Sequence, residues 1–129
     1  MACPACGDDT ISFAVPSTLR EHAPESGTHA RLCSTCLGTF ATTEGPADPS
    51  FDAVVPAFPS GEAGAALALA LGMLDSLALR RAAIDDCCSY AERAGADVLL
   101  TLDRLAAADG VDPHFDIDRR RPQLAEMLR

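Results

Sequence analysis

The residues in this sequence best suited to chemistry are four cysteines in two pairs: Cys3 and Cys6 in C-P-A-C-G, and Cys33 and Cys36 in C-S-T-C-L-G. Two residues separate the members of each pair, and 26 residues separate the pairs. Thiolates are soft ligands, and four at this spacing suit one tetrahedral zinc ion. Two thiolates three positions apart converge only if the backbone turns tightly between them. Pro4 pre-sets one φ angle for that turn, and Gly7 permits the tight exit. With all four positions filled by protein, no place is left for a water or a substrate, which argues against metal-assisted hydrolysis. His22 and His29 lie between the pairs and are expected as exposed loop residues, since four cysteines already complete the shell.

Other reactive patterns are weaker. Cys3-Pro4-Ala5-Cys6 also has the spacing of a redox dithiol, but such a dithiol lies between a strand and a helix of a thioredoxin-like unit. Only two residues precede Cys3, and the second pair would go unexplained, so a thiol oxidoreductase is the least favoured reading. Cys87 and Cys88 are adjacent on an expected helix and point about 100° apart. One is expected in the core and the other as a bystander. Arg119, Arg120 and Arg121 form the only basic cluster, a contact for an anion or a partner in its functional reading. Three arginines opening a helix oppose its dipole, so pairing with Asp116, Asp118 or carboxylates elsewhere is favoured. No spacing of Ser, His and Asp points to a triad or a paired-carboxylate site, so no catalytic residue is assigned and no enzyme is expected.

The cysteines must be held by short strands. Ile11 to Val15 alternates and reads as a strand ended by Pro16; Ala30 to Leu32 returns as another; Thr39 to Thr43 is β-branched and aromatic and reads as a third. Phe13, Leu32 and Phe40 are expected to form one small apolar face. On Cys3, Pro4, Cys6, Gly7, Cys33, Cys36 and Gly38, this part of the chain resembles the zinc-ribbon family, in particular the small CPxCG-type zinc proteins of haloarchaea. The full chain looks like an uncharacterised haloarchaeal family with an N-terminal ribbon and a helical C-terminal part. That resemblance implies a fold and one structural Zn2+, and no activity.

The expected fold class is α+β: a four-cysteine zinc ribbon over residues 1–43, a proline-rich linker over 44–60, and an α-helical domain over 61–129, a small bundle of about four helices. Pro46, Pro49, Pro56 and Pro59 prevent regular structure in the linker. Its Phe51, Val54, Val55 and Phe58 are expected to clamp it onto the helices. Ser60 is expected to cap a first helix that is apolar nearly all round and therefore central. Asp75-Ser76 breaks it and caps a second, which runs to about Ala94 and is ended by Gly95. A third runs from about Asp97 to Asp109 with a stripe of Val98, Leu102, Leu105 and Ala106. A short last helix carries Leu124, Met127 and Leu128.

Composition narrows the functional classes. The net charge is −9; every basic residue is arginine, none is lysine, and alanine is abundant. Such a chain suits high salt, which screens repulsion among carboxylates. Net charge disfavours nucleic acid as a partner, because phosphate affinity rests on cations and falls steeply with salt. A transcription- or translation-related nucleic-acid-binding ribbon is therefore second to a protein-interaction, adaptor or regulatory module. No secretory signal is read at the N-terminus, so a cytoplasmic location is expected. The run from Ala63 to Leu74 is too short for a bilayer, which needs about 20 residues, so no membrane partner is expected.

Overall fold

The computed structural model describes residues 2–128. The chain is an α+β fold: a small antiparallel sheet near the N-terminus, then helices. Strand β1 is Thr10–Ala14, β2 is His29–Cys33 and β3 is Thr39–Thr42, in the order β1-β2-β3. The segment between β1 and β2 forms two short 3-10 turns, Ser17–His22 and Pro24–Ser26. Helices α1 (Gly61–Met73), α2 (Arg81–Arg93), α3 (Val98–Ala107) and α4 (Ile117–Met127) follow. Among the described residues, no helix is long and apolar enough to cross a membrane.

Register decides which side of the sheet faces the helices. Leu32 lies opposite Ile11 and Thr39, and Ala30 lies opposite Phe13 and Ala41. Since strand side chains alternate between faces, these residues share the inner face, with Phe13, Ala30 and Leu32 fully buried. Phe40 pairs with Arg31, one step out of phase, and so lies on the opposite face. The expectation that it joins Phe13 and Leu32 fails for that reason. It packs instead against the cysteines, with the Arg31 guanidinium 5.9 Å from its ring centre.

Helix α1 is the central element, as its all-round apolar sequence requires. Every residue from Ala63 to Leu71 is buried. The inner face of the sheet meets it directly: the Thr39 hydroxyl donates to the Ala68 carbonyl at 2.7 Å. Gly72 allows this approach, because a Cβ there would lie 2.6 Å from Thr39 Cβ. The proline-rich segment lies between sheet and helices. Phe51 stands 5.6 Å from Phe13 and 5.1 Å from Phe58, ring centre to ring centre. One cluster of buried apolar side chains runs continuously from Phe13 through Phe51 and Leu71 to Leu124.

Helix boundaries follow local chemistry in part. Asp97 caps α3 by accepting from the Leu100 N–H at 3.0 Å. Gly95, at φ 105°, terminates α2, with its own N–H on the Glu92 carbonyl and the Ala96 N–H on the Ala91 carbonyl. Ser60 precedes α1 in extended conformation but makes no side-chain cap, and α2 starts at Arg81 rather than at Asp75-Ser76. Leu77 is buried from the turn between the two helices. Ala106, expected on the α3 stripe, is exposed, and Thr101 takes the inward place, its hydroxyl donating to the Asp97 carbonyl. Both Cys87 and Cys88 are fully buried, which corrects the expectation of one bystander. Helix α2 packs against both α1 and α3, so its buried arc is wide enough for neighbours 100° apart.

Candidate metal centre

Two turns at the same end of the sheet carry the four cysteines. The first joins Ala2 to β1, and the second joins β2 to β3. They repeat one another bond for bond. In the first, the Cys3 N–H donates to the Asp8 carbonyl at 2.7 Å and the Gly7 N–H to the Cys3 carbonyl at 2.9 Å. In the second, the Cys33 N–H donates to the Gly38 carbonyl at 2.9 Å and the Leu37 N–H to the Cys33 carbonyl at 3.2 Å. The residue after each second cysteine takes a left-handed conformation: Gly7 at φ 85° and Leu37 at φ 62°. Gly7 adopts it freely. Leu37 has a Cβ and is held there by its side chain, which is fully buried in the apolar core. Gly38 serves another purpose, since a Cβ on it would lie 2.9 Å from the Phe40 ring and 3.3 Å from the Cys36 sulfur.

These turns bring the four sulfurs together, all within 4.8 Å of one another. Cys3 and Cys36 Sγ are 3.7 Å apart, and Cys6 and Cys33 Sγ are 3.4 Å apart. None of the four is in a disulfide. The Ala5 N–H donates to Cys3 Sγ at 3.4 Å, and the Thr35 and Cys36 N–H groups to Cys33 Sγ, also at 3.4 Å. Such donors favour the anionic sulfur. Burial alone would push the Cys3 thiol up, but the Cys6 and Ala5 N–H groups bring it down to about 7. Burial pushes Cys36 up to about 12, with the Cys33 and Cys3 sulfurs adding to the rise against the Gly38 N–H. At Cys6 the Asp8 N–H lowers the thiol, but the Cys33 sulfur and burial outweigh it and the net direction is up. The four sulfurs lie close enough together to hold one metal ion.

A contact without a sequence signal closes the second turn. The stretch before α4 runs across it as a strap: the Asp112 N–H donates to the Thr35 carbonyl and the His114 N–H to the Cys36 carbonyl, both at 2.8 Å. The His114 Nε2–H donates in turn to the Leu71 carbonyl on α1 at 3.0 Å. Among the described residues the first turn has no such cover, and Ala5, Cys6, Gly7 and Asp8 are exposed.

The remaining candidates lie elsewhere. His22 is not an exposed loop residue: its side chain is 15% exposed and its Nε2 lies 2.9 Å from Asp86 on α2. His29 opens β2 and bonds the Thr28 hydroxyl through Nδ1. Neither belongs to the sulfur cluster. Arg121 forks on Asp103, with Nε 2.9 Å and a terminal nitrogen 3.2 Å from its two oxygens. Arg120 donates to the Gln123 side chain and the Asp75 carbonyl, and Arg119 is exposed beside the Asp116 cap. Cys87 and Cys88 are apolar in surroundings, and burial pushes Cys87 up to about 12 and Cys88 further.

A family of unknown function, DUF6276, matches residues 2–128 of the chain. No curated protein and no solved structure matches it.

Proposed function

We propose that this chain, which belongs to the DUF6276 family, is a non-catalytic zinc-ribbon protein. Cys3, Cys6, Cys33 and Cys36 hold one structural Zn2+, and the folded chain acts by binding a protein partner, as an adaptor or regulatory subunit. The observation that carries this reading is the closed four-sulfur cluster. A tetrahedral zinc with Zn–S bonds of about 2.3 Å sets its sulfurs about 3.8 Å apart. Separations of 3.4 and 3.7 Å, with a ceiling of 4.8 Å, bracket that value. The bound ion supplies a cross-link between the two turns. The chain does the rest: Gly7 and Leu37 turn the backbone, N–H groups support the sulfurs, and the 112–114 strap ties the second turn to α1.

Support for a non-catalytic role comes from the surroundings of the cluster. A cavity of about 250 Å3 beside Cys36 is lined by Gly38, Phe40, Gly72, Asp75 and His114. His114 Nε2 is committed to the Leu71 carbonyl, and Asp75 is 3.7 Å from its Nδ1. Nucleic-acid binding draws less support, because Arg120 and Arg121 are engaged within the chain and the net charge is −9. The lysine-free, acidic composition supports a haloarchaeal source.

The test is metal content of the purified protein beside a Cys33→Ser variant, with thiol titration under native conditions before and after chelation. One zinc per chain, weakened in the variant, with the four cluster thiols titrating in full only on chelation, is the expected result. Freely titrating cysteines without zinc would overturn the reading. The partner role is tested by affinity purification in molar salt, where a stoichiometric protein partner is expected and a co-purifying nucleic acid in its place would favour the other class.

A further inference from the structure

The four sulfurs are unequally covered. Cys3, Cys33 and Cys36 are 4%, 0% and 8% exposed, whereas Cys6 is open to solvent. The cause is architectural. The 112–114 strap and the core cover the second turn, and among the described residues nothing covers the first from Ala5 to Asp8. The exposed sulfur is also the one nearest a buried neighbour, 3.4 Å from Cys33, while Cys3 and Cys36 are 3.7 Å apart.

We propose that Cys6 is an oxidative modification site for a small neutral hydroperoxide, which converts the cluster into a Cys6–Cys33 disulfide and releases the metal. This inference rests on the zinc reading above. Oxidation of cysteine follows thiolate character and access together. A metal-bound sulfur is a thiolate, and Cys6 is the accessible one. The Asp8 carboxylate, whose Oδ2 is 4.0 Å from Cys6 Sγ, disfavours anionic reagents by charge and leaves neutral peroxides.

The chemistry balances in two steps. The Cys6 thiolate attacks the distal peroxide oxygen; an S–O bond forms, the O–O bond breaks, and the alkoxide or hydroxide that leaves takes a proton from water. The Cys33 thiolate then attacks the Cys6 sulfenic acid; an S–S bond forms and hydroxide departs. Two thiolates lose two electrons in all, and one peroxide gains them. A disulfide needs its sulfurs about 2.05 Å apart, so closure asks for little more than 1 Å of movement from 3.4 Å. Two sulfurs remain, and they do not satisfy a four-coordinate ion.

The experiment uses the purified zinc-loaded chain, titrated with hydrogen peroxide from below to above one equivalent. Released zinc is read with a chromogenic chelator, and disulfides are mapped by peptide mass spectrometry. A brief iodoacetamide pulse on the unoxidised protein ranks the accessibility of the sulfurs independently. The expected result is one zinc released per peroxide consumed, a Cys6–Cys33 cross-link, reversal by dithiothreitol with added zinc, and labelling of Cys6 about tenfold faster than of the other three. Zinc release with a Cys3–Cys36 cross-link, equal labelling of all four, or retention of zinc in excess peroxide would overturn it while leaving the zinc reading intact. A chain that purifies without zinc would sink both.

Discussion

Replacing Leu37 tests the second turn with two opposed effects of known sign. Leu37 sits at φ 62°, where a residue with a Cβ is strained by about 1–2 kcal/mol. Its side chain is fully buried, and removing such a leucine to alanine costs about 2–5 kcal/mol. Leu37→Ala loses the packing and keeps the strain, so it should destabilise by the full range. Leu37→Gly loses slightly more packing but relieves the strain, and should destabilise by about 1–4 kcal/mol. The expected order of stability is wild type, then Gly, then Ala, with Gly above Ala by about 1 kcal/mol. That inverts the usual order at an ordinary backbone position, where Gly is the less stable by about 0.5–1 kcal/mol. The assay is urea unfolding of metal-loaded protein at fixed salt and buffered free zinc. With a slope of about 2 kcal/mol per molar urea, the midpoint falls by about 1–2.5 M for Leu37→Ala and by about 0.5–2 M for Leu37→Gly. Zinc stoichiometry should stay at one, since no sulfur ligand is touched. Alanine more stable than glycine would refute the left-handed turn. A glycine variant as stable as wild type would refute the claim that Leu37 anchors the turn to the core.

Three further outcomes follow from contacts elsewhere. Gly72→Ala should destabilise by about 1–3 kcal/mol, read by urea unfolding, because its Cβ would lie 2.6 Å from Thr39 Cβ and must push β3 off α1; an unchanged midpoint would deny the close approach. Arg121→Gln should leave the urea midpoint essentially unchanged, since its pair with Asp103 is solvent-exposed, and it should leave zinc affinity unaltered in a chelator competition. Removal of the metal should accelerate hydrogen exchange at the Asp112 and His114 amides along with the cysteine turns, because their acceptors are the Thr35 and Cys36 carbonyls; exchange confined to the turns would show that the strap holds without them.

The four-cysteine cluster and the secondary elements were legible from the chain because their signals are local. Two C-x-x-C pairs, alternation in Ile11 to Val15, the β-branched and aromatic residues of Thr39 to Thr43, the all-apolar run of α1 and the Gly95 stop all act over a few residues. Sequence reading failed where a residue's place depends on what lies against it from far away. Phe40 faces the cysteines, not the core, because strand register sets it opposite Arg31. Cys87 and Cys88 are both buried because α2 has helices on two sides. His22 is drawn in by Asp86, 64 positions along. Chemistry and spacing thus pointed to four cysteines that one ion could hold. Tertiary packing decided that Leu37 bears the left-handed turn, that a strap from the C-terminal half covers one cysteine turn, and that Cys6 alone among the four stays open to solvent. A sequence pattern records what each residue prefers, whereas burial is a property of the surfaces that meet.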